Sequence, residues 1–566
     1  MLNQVVMRSP ALKRLVIKSS LRSQGVSPDW EAILAPDRER WDALREQASR
    51  GPRILVASSI GGSHGSMTLE GALAVALTLR GANAHFLLCD EVLPACLPCD
   101  VRLYPDQKQF VKYGPSRDRC LGCFHPGESV YRPLGLTIHH YSQFLTPEDR
   151  RRAGEIAASL PFGEIGKYSL DGLAVGEHAL AGALRFYARG TLEGERYADP
   201  VLRRYLKAAL LTTFATRRLL QAHDYECAVF HHGIYVPQGL IGEVCRQEKV
   251  RVVNWNPAYR KQCFIFSHGD TYHHTLMSEP AARWENIPWT PRMETQLMDY
   301  LKSRWRGSMD WIWFQDKPEE DLKSVAREVG VDFSKPCVGL LTNVFWDAQL
   351  HYPANAFRDM LDWILQTIDY FSRRPELQLI IRVHPAEIRG TVPSRQLVVD
   401  EIKKAFPDLP PNVFIIPPES QVSTYVAMMA CNAVIIYGTK TGVELTSMGI
   451  PVIVAGEAWV RNKGITTDVS SVEDYFNTLD KLPLGHPLDE AATLRARRYG
   501  YHFFFRRMIP LEFMEPAEAR LLFQLQVSGL DDLQPGRSRG LDIICDGILK
   551  GTDFIYPAEQ DAGGRQ

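Results

Sequence analysis

Residues 433–455 read AVIIYGTKTGVELTSMGIPVIVA. The apolar, β-branched run 433–437 has the length of a buried strand. Gly438-Thr439-Lys440-Thr441-Gly442 interrupts it, a short helix fits 441–448, Gly449-Ile450-Pro451 makes a turn, and 451–455 is apolar again. Strand, glycine loop, helix, strand is the repeating unit of a parallel sheet covered by helices.

The same rhythm extends backwards from this stretch. Strands are predicted at 338–344, 377–383 and 413–416, with helices around 355–372, 394–405 and 420–430. A second region of this kind begins after Arg53. There a strand at 54–58 leads into Gly61-Gly62-Ser63-His64-Gly65, a helix over 67–80 and a strand at 84–89. That helix is apolar on most faces, leaving Glu70 and Arg80 for solvent. Residues 147–222 read as helical, followed by a strand at 228–231, a helix at 237–247 and a strand at 250–255.

The chain has 566 residues, 45% hydrophobic and 23% charged, enough to bury large cores. The segmentation expected is a basic, helical extension (1–50), a Rossmann-like domain (51–285) carrying a cysteine-rich insertion (about 93–141) where the pattern breaks into turn residues, an interdomain connection with some helix (286–335), a second Rossmann-like domain (336–480), and a helical C-terminal region and tail (481–566). The last ten residues read as disordered. Two doubly wound α/β domains facing a cleft are therefore expected, with ligands at the C-terminal strand edges.

Lys and Arg number 65 against 66 Asp and Glu, a net charge of −1, which removes the electrostatic case for nucleic-acid binding. No apolar run approaches the roughly 20 residues that span a bilayer. Eleven cysteines, an odd number, fit a reducing, cytoplasmic compartment. Arg8, Lys13, Arg14, Lys18 and Arg22 precede the first acidic residue, Asp29. That segment reads as an ordinary solvated helix, a transit peptide, or a basic helix lying on the inner face of the plasma membrane.

Strand 377–383 ends in Arg382, Val383, His384 and Pro385, and strand 433–437 ends in the Gly-Thr-Lys-Thr-Gly loop. A lone His-Pro is ordinarily a strand end, and a lone Gly-Thr-x-Thr-Gly ordinarily a turn. Their coincidence on strand ends of one sheet points to an anion cradle. Gly438 and Gly442 would admit close approach, Thr439, Lys440 and Thr441 would supply donors, and His384 or Arg382 a further one. Glu444 is placed to accept from a ribose. The loop lacks the G-x-x-x-x-G-K-[ST] spacing of a Walker A motif.

The run from His384-Pro385 through Tyr437–Glu444 and Gly449-Ile450-Pro451-Val452 to Gly464-Ile465-Thr466-Thr467-Asp468 resembles bacterial capsule polysaccharide biosynthesis proteins. That group includes the Kdo transferases of capsule linkers, and its members look like glycosyltransferases of the two-Rossmann, GT-B architecture. The resemblance covers 336–476 and is schematic over 53–285. It implies a CMP-, UDP- or GDP-linked sugar donor gripped by the C-terminal domain and a glycan or glycolipid acceptor held by the N-terminal one. It also implies donor-phosphate contacts from His384, Thr439, Thr441 and Gly442. Trp459-Val460-Arg461-Asn462-Lys463 departs from the family's aromatic, glycine-rich stretch, so the sugar is left open.

Such chemistry needs no catalytic metal: fixed N–H groups, Lys440 and His384 would stabilise the departing phosphate. Should the reaction invert the anomeric centre, the base candidates are His64, His231 or His232, and Asp347. Alternatives on the same fold are a nucleotide-sugar epimerase or a polyol-phosphate transferase. A non-catalytic glycan-binding or assembly subunit is another.

Cys96-x-x-Cys99 and Cys120-x-x-Cys123, with 20 residues between them, match the spacing of a structural zinc ribbon. The alternative is four reduced thiols. Arg495 to Arg507 form a basic, aromatic run expected to pack back across the first domain, burying its aromatics and solvating its arginines.

Overall fold

The computed structural model describes residues 27–314, 317–347, 355–484, 487–517 and 523–561. The basic residues Arg8 to Arg22 lie outside them. The chain forms two compact units. The first comprises the described residues through Phe186, Leu192–Tyr272 and Ile509–Tyr556; the second comprises Tyr187–Thr191, His273–Met508 and the residues after Tyr556.

In the first unit, β1 (Arg53–Ser59), β2 (Asn83–Leu88), β3 (Thr137–His140), β4 (Cys227–His231), β5 (Arg251–Pro257) and β6 (Cys263–His268) build a sheet with the strand Ile509–Pro510. Its order is 509–510, β6, β5, β4, β1, β2, β3. β1 to β5 run parallel; β6 and 509–510 are antiparallel additions. In the second unit, β7 (Cys337–Leu341), β8 (Gln378–Arg382), β9 (Val413–Ile416), β10 (Ala433–Ile436), β11 (Val452–Val454) and β12 (Thr467–Asp468) form a wholly parallel sheet ordered β12, β11, β10, β7, β8, β9.

Both orders reverse once, at β1/β4 and at β7/β10. Both units are doubly wound α/β sheets. The reversal opens a crevice beyond the carboxyl ends of the strands, where ligands of such sheets bind. Burial explains why the central strands read as unbroken apolar runs: every residue of β7, β8 and β10 is buried, and Trp363, Ile368, Phe371, Ile381 and Ile435 share one core.

Several sequence expectations are corrected. The helix His64–Leu79 is buried from Ser66 to Thr78 with Glu70 included, so Glu70 is not on a solvent face. It begins at His64, which therefore opens a helix instead of lying in a loop. The cysteine-rich insertion at 93–141, where turn residues and cysteines break the pattern, contains helices Gln107–Tyr113 and Arg117–Tyr131. Asp106 and Ser116 cap them by accepting from the amides of Lys108 and Arg119. The weakly patterned cysteines and Pro126 had obscured the second.

Residues 286–335 carry helix, as expected, in Pro291–Arg304, but they belong to the second unit instead of lying between the two. Region 481–566 divides. Glu490–Tyr501 and the following turn belong to the second unit, whereas 509–556 return to the first.

The run at 495–507 packs within its own unit, not across the first: Arg497 pairs with Glu294 at 2.5 Å, and Tyr300 meets Phe504 edge-on. Arg507 is buried against Glu279 instead of being solvated. Ala558–Asp561, within the tail read as disordered, is helical. Among the described residues no helix is long and apolar enough to cross a membrane.

Candidate functional site

The β7/β10 reversal of the second unit gathers the residues after three strands. After β7, the Thr342 hydroxyl accepts from the His384 amide at 3.1 Å. After β8, His384 Nδ1 accepts from the Ala386 amide at 3.0 Å. An acceptor Nδ1 leaves the ring proton on Nε2, so the imidazole is oriented as a donor. Burial, with Lys440 and Arg382 nearby, lowers its pKa to about 4. The ring is therefore neutral at physiological pH.

After β10, the loop folds on itself. Thr441 N–H donates to Thr439 Oγ1 at 3.3 Å, the two threonine hydroxyls lie 3.2 Å apart, and Gly438 N–H donates to Asn343 Oδ1 at 3.4 Å. The amides of Gly442 and Val443 bond the carbonyls of Thr439 and Lys440. The cradle thus offers hydroxyls and side-chain cations more than open amides. Gly442 serves packing: a Cβ there would lie 2.6 Å from Ile436 Cδ1 and 3.0 Å from Val460 Cγ1. Gly442→Val is expected to destabilise the protein by about 1–3 kcal/mol, read from a denaturant midpoint.

Two of the expected donor-site residues are committed inside the unit. Arg382 is buried and donates to the Pro417 carbonyl (2.6 Å), Thr424 Oγ1 (3.2 Å) and the Ser420 carbonyl (3.4 Å). It fastens the 417–424 segment and does not face a phosphate. Glu444, expected at a ribose, is fully buried; it accepts from Lys440 Nζ at 3.0 Å and Tyr425 Oη at 2.5 Å and pairs with Arg304 Nε at 3.1 Å.

Arg304 in turn donates to Asp310 Oδ2 (2.5 Å) and Tyr300 Oη (2.9 Å). Burial pushes the Glu444 carboxyl up, but the Arg304 and Lys440 cations outweigh it, and the group stays ionised. Lys440 is pulled down by burial and by Arg304, with Glu444 opposing. The sequence reading missed Arg304 and Asp310 because both lie in the stretch taken as a connection.

The remaining candidates separate by unit. Asp347 follows β7 in the second unit and is exposed. In the first, His64 is exposed at its helix start. His231 and His232 stand at the end of β4, their rings 5.5 Å apart. His232 adopts φ 69° and, at the end of neighbouring β1, Ser59 adopts φ 59°. Left-handed backbone at two non-glycine residues on one rim is strain of the kind that concentrates at binding sites.

Gly61 is covered by the helix Arg117–Tyr131, since a Cβ there would meet the Cys123 carbonyl at 2.6 Å. Cys96 and Cys99 Sγ atoms lie 3.7 Å apart, whereas Cys123 Sγ accepts from the Gly62 amide at 3.2 Å. Among the described residues no group of three or more His, Cys, Asp or Glu is placed to hold a metal.

No family model matches the chain, and no curated protein matches it. Solved structures similar to it include Thermosulfurimonas dismutans KpsC, a beta Kdo 2,4 transferase (12% identity, 48% of this chain and 79% of that one, TM-score 0.31). Another is the Methanocaldococcus jannaschii UDP-GlcNAc 2-epimerase in complex with UDP-GlcNAc and UDP (11%, 79% and 98%, 0.26). A third is the spinosyn rhamnosyltransferase SpnG (13%, 80% and 95%, 0.23). The strand orders, not these likenesses, carry the fold assignment.

Proposed function

We propose that the chain is a nucleotide-sugar-using enzyme, specifically a glycosyltransferase that moves a sugar to a surface polysaccharide or glycolipid acceptor. The observation that supports this reading is His384. Its Nε2–H donor is fixed by the Thr342 and Ala386 bonds at the β7/β10 reversal, near Lys440 and on the same rim as the Thr439 and Thr441 hydroxyls.

Departure of a nucleoside diphosphate or monophosphate builds negative charge on the leaving oxygen. Donors already in place stabilise that charge without reorganising. A neutral His384 donates from Nε2 without gaining a proton first. Lys440, held against Glu444, contributes its charge from a fixed position. An acceptor molecule would bind the first unit, where His64, His231 and His232 are the candidates for a base, and Asp347 is the candidate in the second.

CMP, UDP or GDP at about 100 times its Kd is expected to raise the melting temperature by roughly 5–10 °C. His384→Ala is expected to abolish that shift while leaving the unliganded melting temperature close to wild type. If none of the three nucleotides stabilises the protein, the transferase reading falls and a non-catalytic glycan-binding subunit takes its place. Release of free nucleotide from a panel of donor sugars separates transfer from epimerisation.

A further inference from the structure

Glu70 is the seventh residue of the helix His64–Leu79 and is completely buried. Its Oε1 accepts from the Trp255 indole N–H at 3.1 Å, while Oε2 is buried without a hydrogen-bond partner. The groups acting on the carboxyl are Ser58 of β1, His231 at the end of β4, Trp255 of β5, and Tyr131 of the helix Arg117–Tyr131. None is a cation. Ser58 Oγ and Tyr131 Oη are bonded to each other at 2.8 Å.

These groups mark a place. Ser58 and His231 stand at the carboxyl ends of β1 and β4, the two strands where the order of the sheet reverses. Trp255 is the partner of His231 across β4/β5, its ring 4.7 Å from the imidazole. The left-handed residues Ser59 and His232 follow directly. A carboxyl beneath this rim is unnecessary for packing, because an apolar side chain on this otherwise apolar helix would bury at lower cost.

We propose that Glu70 is a positioning residue of the first unit's ligand rim, its carboxyl holding the Trp255 indole against the His231 ring at the end of β4 so that His231 and His232 meet a hydroxyl-bearing ligand. The ligand's identity as an acceptor rests on the transferase reading; the placement of Glu70 does not.

Burial, opposed by the surrounding donors, raises the Glu70 pKa to about 7, and burial lowers that of His231 to about 4. The rim therefore changes charge near neutrality through the carboxyl beneath it and not through the His231 ring. Ionisation tightens the bond from the Trp255 indole, since a charged acceptor strengthens it, and places a charge beneath the end of β4.

The test is a pH titration of the full-length protein labelled with 15N-histidine and 15N-tryptophan. The His231 amide and Trp255 indole resonances are expected to shift together with a midpoint near pH 7, and Glu70→Gln is expected to flatten both. Trp255→Phe, which removes one donor to the carboxylate, is expected to move the His231 midpoint to higher pH. Flat resonances between pH 6 and 8 in the wild type, or a midpoint that survives Glu70→Gln or ignores Trp255→Phe, overturn the proposal. A normal titration beside absent nucleotide stabilisation would overturn the transferase reading alone.

Discussion

Arg304→Met is expected to destabilise the second unit by about 3–5 kcal/mol. The guanidinium is fully enclosed, and burial alone would lower its pKa. Glu444, Tyr300, Tyr425 and Asp310 together keep it charged. Two carboxylates, Glu444 and Asp310, face two cations, Arg304 and Lys440, in a neutral buried set. Removing one member leaves Asp310 buried opposite Tyr300 alone and leaves Glu444 to Lys440.

An uncompensated buried charge, not the loss of one attraction, produces the large penalty. The companion variant Arg304→Met/Asp310→Leu removes a cation and an anion together and is expected to recover at least half of the loss. Denaturant midpoints of the two variants decide: a single-mutant loss below about 1 kcal/mol, or no recovery in the pair, contradicts the network. Nucleotide stabilisation should weaken in Arg304→Met as well, because Lys440 is then drawn onto Glu444 alone.

Acidification from pH 6.5 to 4.5 is expected to destabilise the first unit more than the second. Burial, then neighbouring positive charge, lowers His85 and His139 to about 4, and burial lowers His231 to about 4. The unfolded chain takes up these protons near pH 6.5 while the folded unit refuses them, so stability present above that pH is lost as the pH falls. Glu70, raised to about 7, works in the opposite direction: the folded unit holds its proton first, which favours folding as the pH falls from 7 to 4.5.

Three histidines against one carboxyl leave two protons of difference, a slope of up to about 3 kcal/mol per pH unit. His223, also lowered by burial, adds to it. In the second unit His384, at about 4, is offset by Glu387, raised by burial to about 7; His502, lowered by burial, remains.

The physical source is the contact set around His85. Its Nδ1 lies 3.2 Å from His139 Nε2 and 2.9 Å from Tyr225 Oη, and the rings of His139 and His223 are 4.7 Å apart. Protonating one ring places a charge beside two others. Calorimetry between pH 7.5 and 4.5 should resolve one transition falling faster than the other. His85→Asn/His139→Asn should flatten that transition; two transitions that fall in parallel would rule the account out.

Much of the strand-end rim of the second unit was legible because it depends on local chemistry. The loop 438–442 must follow a strand and precede a helix, and His384-Pro385 must end one, since strand period and glycine placement are properties of neighbouring residues. Both lie where the sequence put them. Arg382 and Glu444 show where that logic stops. Arg382 lies two residues from His384 and Glu444 three from Thr441, but the direction of each side chain is set by elements distant in sequence. The 417–424 carbonyls claim Arg382, and Arg304 claims Glu444.

Glu70 makes the same point in the first unit. A lone carboxylate on an apolar helix reads as the solvent face, because sequence supplies no reason to bury it. The covering helix Arg117–Tyr131, itself hidden among cysteines, is what encloses it.

By itself, then, the sequence determined that this protein is built of parallel, helix-covered sheets with a glycine–threonine loop and a histidine on strand ends, because those features are written in periods of two to four residues. Only the tertiary structure decided the strand orders, the return of 509–556 to the first unit, and which charged groups hold one another. Those depend on contacts between segments far apart in sequence, as do the burial that shifts His384 and Glu70 and the ion pairing that shifts Glu444.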